Sequence, residues 1–397
     1  MVSNRQLFLR YLAGTSDSPM MLEIVSASGI YMYDNSGRKY TDLISGVSVS
    51  YLGHNNKEIV SAVKDQADRN LHLMVYGEFI QAPQVKYAEL LCSHLPGNLD
   101  SVYFVNSGAE AIEGAMKVAK RFTGRSEIIA FKNAYHGSTQ GALSIMGGEY
   151  FKMNFRPLLP GVTFLDFNNT EDLDKITVKT ACVVVDPLQS EAGIRVPENN
   201  FLSRLREQCN KTGSLLIFDE IQTGFGRLGS LFACNEFNVT PDIMVLAKSL
   251  GGGMPLGAFI SSTDVMSVLK NHPALGHITT FGGHPVSCAA GLAAFNILLR
   301  EELTLKVREK EDAFRKYLKH PAILEIRGKG LQLAIELGSK DLMHTVHENA
   351  MKNGIITDWF LFCDTSLRIS PALIITFEEI KEASEIIIHS IEESLKS

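Results

Sequence analysis

The 397-residue sequence has no apolar run long enough to span a bilayer. Its first residues, MVSNRQLFLRYLAGTSDSP, lack the apolar core and small-residue cleavage site of a signal peptide. It also lacks a basic block, and its formal net charge is −6. Nucleic-acid and anionic-membrane partners are therefore not expected.

Paired cysteines are absent too. Six cysteines are scattered through the chain without a CxxC pair: Cys92, Cys182, Cys209, Cys234, Cys288 and Cys363. In a chain of this size they indicate reduced thiols, so we expect a cytoplasmic protein. No internal repeat or low-complexity tract interrupts the sequence.

The composition is that of a globular protein, with 45% apolar and 21% charged residues. A chain of 397 residues exceeds the size at which a single core stops growing. Two domains are therefore the default expectation.

Two short apolar runs each end in a charge. Residues 215–218 lead into Asp219 and Glu220, and residues 243–247 lead into Lys248. If both runs are parallel neighbouring strands, the carboxylate and the amine face one ligand crevice beyond the strand ends. A lone Lys or Asp at such a place can also be a solvated terminus or a helix cap, so this stretch alone does not establish catalysis.

A third apolar run, Ser101–Val105, breaks at Asn106-Ser107-Gly108, and a helix is predicted to begin near Ala109. A strand, a Ser-Gly turn and a helix N-terminus together can bind an anion, because free N–H groups and the positive end of the helix dipole meet there. The alternative is an ordinary helix cap by Ser107.

Two further predicted strands are followed by polar residues. Tyr135 and His136 follow residues 128–131, where an aromatic ring can stack on a planar ligand or where both residues belong to a surface turn. Asp186 and Glu191 follow residues 181–185. The repeated alternation of strand and helix predicts an α/β fold with a largely parallel sheet.

The predicted organisation has three parts. Residues 1–50 form an N-terminal segment that packs with the small domain, and residues 51–289 form the large α/β domain. Residues 290–397 alternate short strands and helices, which predicts a small α+β domain.

Two motifs resemble other kinds of site, and we reject both. Gly224, Gly226 and Gly229 match GxGxxG, but they do not lie in a strand-to-helix turn, so they do not indicate a nicotinamide site. His344 and His347 share a predicted helix face without a third ligand, so no metal site is assigned.

Taken together, the motifs resemble those of class III (ω-type) pyridoxal-phosphate aminotransferases, of the acetylornithine, ornithine and 4-aminobutyrate kind. The resemblance covers roughly residues 20–390. The motifs occur in the family's order: NSGAEA, YHG, QSEAG, DEIQTGFGRLG, the lysine before GGGMPLGA, TTFGGHP and LRISPAL. The resemblance implies fold type I, pyridoxal 5′-phosphate as cofactor and a ping-pong transamination from an ω-amino acid or amine to 2-oxoglutarate or pyruvate.

The resemblance also implies the roles of residues around the cofactor ring. Lys248 would form the Schiff base and move the proton, and Asp219 would pair with the ring nitrogen. Gln222 would bind near the 3′-oxygen, and Tyr135 would stack on the ring.

Phosphate and substrate contacts follow from the same resemblance. Ser107, Gly108 and Ala109 would bind the phosphate. Thr280 would complete this site from a neighbouring subunit, which implies a homodimer. Arg368 would bind a substrate carboxylate and would pair with Glu191 when no carboxylate is present.

Departures from the family pattern leave the donor open. Ser138 stands where many relatives have an arginine, and His284 replaces the asparagine of GGNP. Asp17 and Val47 stand where ornithine-type enzymes carry tyrosines. A racemase, an aminomutase or decarboxylase of the same fold, and a non-catalytic binding protein remain alternatives.

Overall fold

The computed structural model describes residues 2–396, and a seven-stranded sheet forms its centre. Strands are numbered along the chain. In spatial order, the sheet contains β4 (Ser101–Val105), β10 (Gly257–Ser261), β9 (Ile243–Leu246), β8 (Leu215–Asp219), β7 (Thr180–Val185), β5 (Glu127–Phe131) and β6 (Val162–Leu165).

Five adjacent strands of this sheet, β9 to β6 in spatial order, are parallel, whereas β10 is antiparallel to both of its neighbours. The condition set by the sequence, that β8 and β9 are parallel neighbours, is therefore met. Their carboxyl ends lie side by side, which brings Asp219 and Lys248 to the same edge.

The strands are buried on both faces. Successive residues of a strand point to opposite sides, so Val183 and Val185 belong to one apolar cluster, and Cys182 and Val184 belong to another. This is why the strands are almost continuously apolar in sequence.

Helices cover both faces of the sheet. Those between residues 45 and 300 are α2 (Ser45–Ser48), α3 (Lys57–Arg69), α4 (Ala82–Cys92), α5 (Gly108–Thr123), α6 (Gln140–Ser144), α7 (Phe201–Thr212), α8 (Ala233–Phe237), α9 (Thr263–Met266) and α10 (Pro285–Arg300). The inner face of α5 is built from small residues, including Ala111, Ala115 and Ala119, so the helix packs closely on the sheet.

The two chain ends form smaller sheets. One contains β1 (Ile24–Ser28), β2 (Tyr31–Asp34), β3 (Lys39–Asp42) and β13 (Ile355–Ile356), and the other contains β11 (Glu325–Lys329), β12 (Gln332–Glu336) and β14 (Ser366–Ile369). The remaining helices are α1 (Asn4–Tyr11), α11 (Val307–Tyr317), α12 (Lys340–Lys352) and α13 (Phe377–Ser394). The parallel pairing of β3 with β13 joins the N-terminal segment to the C-terminal part of the chain.

The predicted α/β fold with a mostly parallel sheet is confirmed, but some elements differ from the sequence prediction. Strand β6 was not predicted, since its four residues precede a long polar segment. Helix α3 begins at Lys57, where the Asn56 side chain accepts hydrogen bonds from two backbone N–H groups, whereas Gly53, His54 and Asn55 in the sequence favour a start a few residues earlier. Helix α10 crosses the predicted boundary at residue 289, and the division into domains stays a prediction.

Within residues 2–396, no helix combines the length and apolar character that crossing a membrane requires.

Candidate active site

A cavity of about 660 Å³ lies beyond the carboxyl ends of β5, β7, β8 and β9. Its walls include seven of the predicted site residues: Ser107, Gly108, Ala109, Tyr135, Asp219, Gln222 and Lys248. The sequence motifs thus converge on one cavity, although they are spread over more than 140 positions, from 107 to 248.

Lys248 follows the end of β9 after one residue, Ala247, and opens a short 3-10 turn. Its φ angle is +52°, in a region that residues other than glycine seldom adopt. Backbone strain of this kind is concentrated at functional sites, where the surrounding fold maintains it. Burial lowers the pKa of the Lys248 amine to about 8, so that a minority of this group is already neutral near physiological pH, far more than for an ordinary lysine.

Asp219 is held by two hydrogen bonds. Its Oδ1 accepts from the backbone N–H of Ile221 at 3.0 Å, and its Oδ2 lies 2.7 Å from His136 Nδ1. His136 is fully enclosed, and its pKa is raised because the attraction of Asp186 and Asp219 outweighs the opposing effect of burial. No residue within 2–396 provides a hydrogen-bond partner for His136 Nε2.

The nitrogen and carboxylate oxygen atoms of His136, Asp186 and Asp219 that could bind a metal lie within 4.8 Å of one another. In the described part of the chain, no other group of three or more His, Cys, Asp or Glu residues has this geometry. The short bond from His136 to Asp219 already accounts for their approach. Burial raises the pKa of Asp186 well above its usual value, against the attraction of His136.

The N-terminus of α5 opens into the cavity. Ser107 caps the helix by accepting a hydrogen bond from Glu110 N at 3.2 Å. The Gly108 and Ala109 N–H groups have no acceptor in the described part of the chain, so both of the expected roles, helix cap and anion site, fit the same turn. A Cβ on Gly108 would lie 2.6 Å from Ile221 Cδ1, so a larger residue here would displace the Ile221 side chain from the cavity wall.

The loop that carries Tyr135 is fixed to α5. Glu113 Oε1 on α5 accepts hydrogen bonds from Thr139 Oγ1 and from Gly141 N at 2.7 and 2.9 Å. Tyr135 Oη lies 3.1 Å from Ser138 Oγ. The aromatic ring and the helix N-terminus are thereby kept on the same side of the cavity.

Arg368 and Glu191 form a buried bidentate pair behind Gln222. The guanidinium NH1 and NH2 donate to Glu191 Oε1 and Oε2 at 2.9 and 3.0 Å. Gln222 Nε2 donates to Glu191 Oε1 at 3.0 Å, which connects the pair to the cavity wall. Arg368 holds the pKa of Glu191 below its usual value despite burial. The predicted pairing is present, although neither residue is part of the cavity wall.

Glu220 does not share the cavity with Asp219, although the two are adjacent in sequence. Its carboxylate accepts hydrogen bonds from Ala233 N and Cys234 N at the start of α8, at 2.5 and 2.8 Å. Burial raises its pKa to about 7. Glu220 is therefore a structural cap, and Asp219 alone faces the cavity.

Thr280 is exposed and is absent from the cavity wall formed by residues 2–396. Its neighbour Thr279 accepts a hydrogen bond from Asn106 Nδ2 at 3.0 Å, which brings this loop near the N-terminus of α5 from outside the cavity. The predicted contribution of Thr280 to another subunit stays a prediction.

The two rejected motifs lie outside the cavity wall. The glycines at 224, 226 and 229 lie in turns after β8. His347 Nε2 lies 3.1 Å from the Thr357 carbonyl oxygen, and His344 and His347 both contact the Trp359 ring. These contacts account for both histidines without a metal.

Sequence reasoning did not identify two polar residues near the site. From the sequence, His136 was given no role beyond a possible surface turn. Its place between Tyr135 and Gly137 in the YHG motif nevertheless indicates a residue of the site. Asp358 lies 2.8 Å from Arg368 Nε, and no sequence spacing predicts this contact because the loop between them is irregular.

The chain matches a known protein family over most of its length. Residues 12–391 match the family described as aminotransferase class-III. The chain belongs to this family. It is 39% identical to an acetylornithine aminotransferase of Methanopyrus kandleri, over 85% of this chain and 86% of that protein. It is 37% identical to a [LysW]-aminoadipate semialdehyde/glutamate semialdehyde transaminase of Sulfolobus acidocaldarius, over 92% and 94% of the two chains.

Solved structures of transaminases share the class III fold seen here. An ornithine aminotransferase of Toxoplasma gondii superimposes with a TM-score of 0.90 and 32% identity, covering 98% of this chain and 94% of that one. A transaminase of the marine bacterium Virgibacillus has a TM-score of 0.93 at 25% identity, covering 99% of both chains. The predicted family and enzyme class are confirmed.

The predicted cofactor, pyridoxal phosphate, is confirmed for this class III enzyme by its family, and the Toxoplasma structure contains it in part occupancy. The cavity also suits such a group on its own features. The free N–H groups of Gly108 and Ala109 fit a phosphate, and the buried carboxylate of Asp219 fits a protonated ring nitrogen. Lys248 supplies an amine with a lowered pKa for the aldehyde.

Proposed function

We propose that this aminotransferase takes an amino group from an ω-amino acid or amine and passes it to 2-oxoglutarate or pyruvate in a ping-pong reaction. The observation that carries the proposal is the Arg368–Glu191 pair beside the cavity that contains Lys248. A ping-pong enzyme must accept two different substrates in the same pocket. One needs a cation for its α-carboxylate, and the other does not.

Each wall of the cavity has a proposed task. Ser107, Gly108 and Ala109 would hold the cofactor phosphate, while Tyr135 stacks on its ring and Gln222 binds near its 3′-oxygen. These assignments rest on the cavity wall and on the free N–H groups of α5.

Bound pyridoxal phosphate would supply an electron sink for the substrate carbon that loses its proton. Asp219, fixed by His136, would keep the ring nitrogen protonated. The neutral amine of Lys248 would hold the cofactor by its aldehyde carbon until the substrate amine displaces it, and the freed amine would then carry the proton between the two carbons that exchange it.

Arg368 would bind the α-carboxylate of the oxo acid in a two-pronged contact, and Glu191 would cover the guanidinium while the amine substrate is bound. A guanidinium suits this role because its paired N–H groups match a carboxylate. Ser138 adds no second cation at the position where many relatives carry arginine.

An ω-amine donor agrees with the names of similar proteins. These are acetylornithine aminotransferase, ornithine aminotransferase and [LysW]-aminoadipate semialdehyde/glutamate semialdehyde transaminase. Each name specifies a substrate with an amine or aldehyde distant from its α-carbon. N-Acetylornithine, ornithine and 4-aminobutyrate are therefore the first donors to test.

The proposed assembly is a homodimer with shared active sites, in which Thr280 contacts the phosphate bound by the other subunit. Large apolar residues near this loop are exposed in the single chain: Leu71, Leu73, Phe79, Ile80, Ile278 and Phe281. Ile80 is 94% exposed, which favours burial by another chain. We further propose a cytoplasmic location and the three-part domain division at residues 50 and 289.

The test is a donor panel with purified enzyme loaded with pyridoxal phosphate, in which glutamate formation from 2-oxoglutarate and alanine formation from pyruvate are measured. At least one ω-amine donor should support turnover with one of the two acceptors. A loaded enzyme that forms neither amino acid from any ω-amine, but racemises or decarboxylates an amino acid, would contradict the proposal.

A further inference from the structure

The Arg368 side chain is enclosed on every side by groups of this chain. Its NH1 and NH2 donate to the two oxygens of Glu191, and NH1 also donates to Gln222 Oε1 at 3.3 Å. NH2 donates in addition to the Trp359 carbonyl oxygen at 3.1 Å. The remaining nitrogen, Nε, forms an ion pair with Asp358 Oδ1 at 2.8 Å, although the two groups are not aligned as a hydrogen bond.

Three of these contacts come from consecutive residues of the connection between β13 and β14. Asp358 contacts Nε, the Trp359 carbonyl contacts NH2, and the Phe360 ring lies under the guanidinium at 4.6 Å from its centroid. The backbone strengthens this attachment, since Arg368 N donates to the Asp358 carbonyl oxygen at 2.8 Å. Thr357 Oγ1 also donates to the Arg368 carbonyl oxygen at 2.6 Å.

The guanidinium thus has one fixed edge and one exchangeable edge. Asp358 and the Trp359 carbonyl belong to the connection that leads directly into β14, the strand that carries Arg368. Glu191 belongs to a different segment, after β7, and its carboxylate occupies the edge formed by NH1 and NH2. This is the edge that matches a substrate carboxylate bidentately.

We infer that Asp358 is a positioning residue for Arg368: it holds the guanidinium by Nε and leaves the NH1–NH2 edge to alternate between Glu191 and the α-carboxylate of an oxo acid. The inference rests on the proposed exchange of Glu191 for a substrate carboxylate. It adds a residue that no motif of the sequence identifies.

A permanent partner matters because the site is buried. Removing the single partner of a buried charge is strongly destabilising, since it leaves the charge without compensation. When Glu191 moves away, Asp358 still compensates Arg368, so the exchange does not pass through an isolated guanidinium. Arg368, Glu191 and Lys248 are the charged groups that act on Asp358, and burial raises the Asp358 pKa to about 6.

The test compares Asp358→Ala and Asp358→Asn with the unmodified enzyme. Asp364→Asn is the matched control, because Asp364 lies in the same connection but its 3.1 Å ion pair is with Lys340, at the surface. Two measurements are made, with the enzyme in the pyridoxal phosphate form for the amine substrate and for glutarate, and in the pyridoxamine phosphate form for the oxo acid. One is the single-turnover rate of each half-reaction against substrate concentration, and the other is calorimetric binding of glutarate, a dicarboxylate that cannot react.

Asp358→Ala should raise the apparent KM for 2-oxoglutarate and the Kd for glutarate about tenfold or more, since a charge-assisted contact is lost. Its half-reaction with a carboxylate-free amine should change less than about twofold. Asp358→Asn should lose affinity in the same direction but less than Asp358→Ala, because its amide oxygen still lies near Nε but carries no charge, and Asp364→Asn should match the unmodified enzyme. If Asp358→Ala does not fold, Asp358→Ser replaces it, since a serine hydroxyl is too short to reach Nε.

Each negative result has a distinct meaning. Unchanged oxo-acid and glutarate affinity in Asp358→Ala or Asp358→Ser, or equal losses in both half-reactions, overturns the positioning role while the proposed function stands. Weakened glutarate binding in variants of an enzyme that transaminates neither 2-oxoglutarate nor pyruvate supports the positioning role and overturns the proposed acceptors. Failure of the unmodified enzyme both to bind glutarate and to use an oxo acid overturns both.

Discussion

His136 Nδ1 lies 2.7 Å from Asp219 Oδ2, so a fully enclosed imidazole orients the carboxylate that faces the cavity. The pair connects the loop after β5 to the end of β8. It explains why Asp219 is fixed although its own strand ends at this residue.

Replacing Asp219 by asparagine should raise the activation barrier of transamination by several kcal/mol, which slows the reaction about 100-fold or more. The reason is that a charge-assisted contact in an enclosed site is lost. His136→Asn should cause a smaller loss, since the charge remains but its orientation weakens. Turnover rates at saturating substrate give both values. A loss of less than about tenfold in Asp219→Asn would contradict an electronic role for this carboxylate.

The lowered pKa of Lys248 predicts a pH dependence. A lysine amine reacts with an aldehyde only when neutral, and a pKa of about 8 means that the neutral fraction rises as pH increases through that value. The rate at which cofactor-free enzyme takes up pyridoxal phosphate, followed by absorbance, should therefore rise with pH around 8 and then level off. A rate still climbing steeply above pH 10 would indicate an unshifted amine.

Lys248→Ala is the companion variant. It should still bind the cofactor, because the N-terminus of α5 remains, but it should lose turnover. Equilibrium dialysis and the donor assay separate the two effects. Transamination close to that of the unmodified enzyme would exclude Lys248 as the amine that bonds the aldehyde.

Glu220 should affect stability rather than chemistry. Glu220→Ala leaves the N–H groups of Ala233 and Cys234 buried without their acceptor, at a cost of about 1–3 kcal/mol in the free energy of unfolding. Urea denaturation measures this loss. An unchanged unfolding midpoint accompanied by lost activity would place Glu220 in the reaction instead.

The fold was largely predictable from sequence because the buried strands are short apolar runs that end in turns or charges. Residues 215–218 and 243–247 indicated both their burial and the charges at their ends. Strand β6 was missed because four residues carry little periodicity, and the antiparallel direction of β10 depends on tertiary pairing.

The site was predictable where it follows a motif and unpredictable where it depends on an irregular loop. Lys248, Asp219 and Ser107 each end or follow a recognisable element. Nine residues of loop and strand lie between Asp358 and Arg368 in the sequence, and only the folded chain shows that the two side chains meet. The opposite roles of Glu220 and Asp219 depend on the alternation of side chains, together with the position of α8.

A shared active site can be tested with two variants that are each inactive. Lys248→Ala and a Thr280 variant, such as Thr280→Asp, should complement one another in mixed dimers, since one of the two sites would then receive both intact residues. Activity of mixed dimers purified with two different tags is the measurement. Verified mixed dimers without recovered activity would contradict a contribution of Thr280 across the interface.

The central claim is that one pocket serves both kinds of substrate through the exchange of Glu191 for a carboxylate at Arg368. The most direct test is single-turnover absorbance of the two half-reactions in Arg368→Ala and Glu191→Gln. Arg368→Ala should weaken the apparent affinity for the oxo acid at least about tenfold more than that for a carboxylate-free amine. Glu191→Gln should instead weaken the ω-amine half-reaction and favour α-amino acids as donors. Equal losses in both half-reactions for both variants would show that the pair only supports the fold, and would contradict the account.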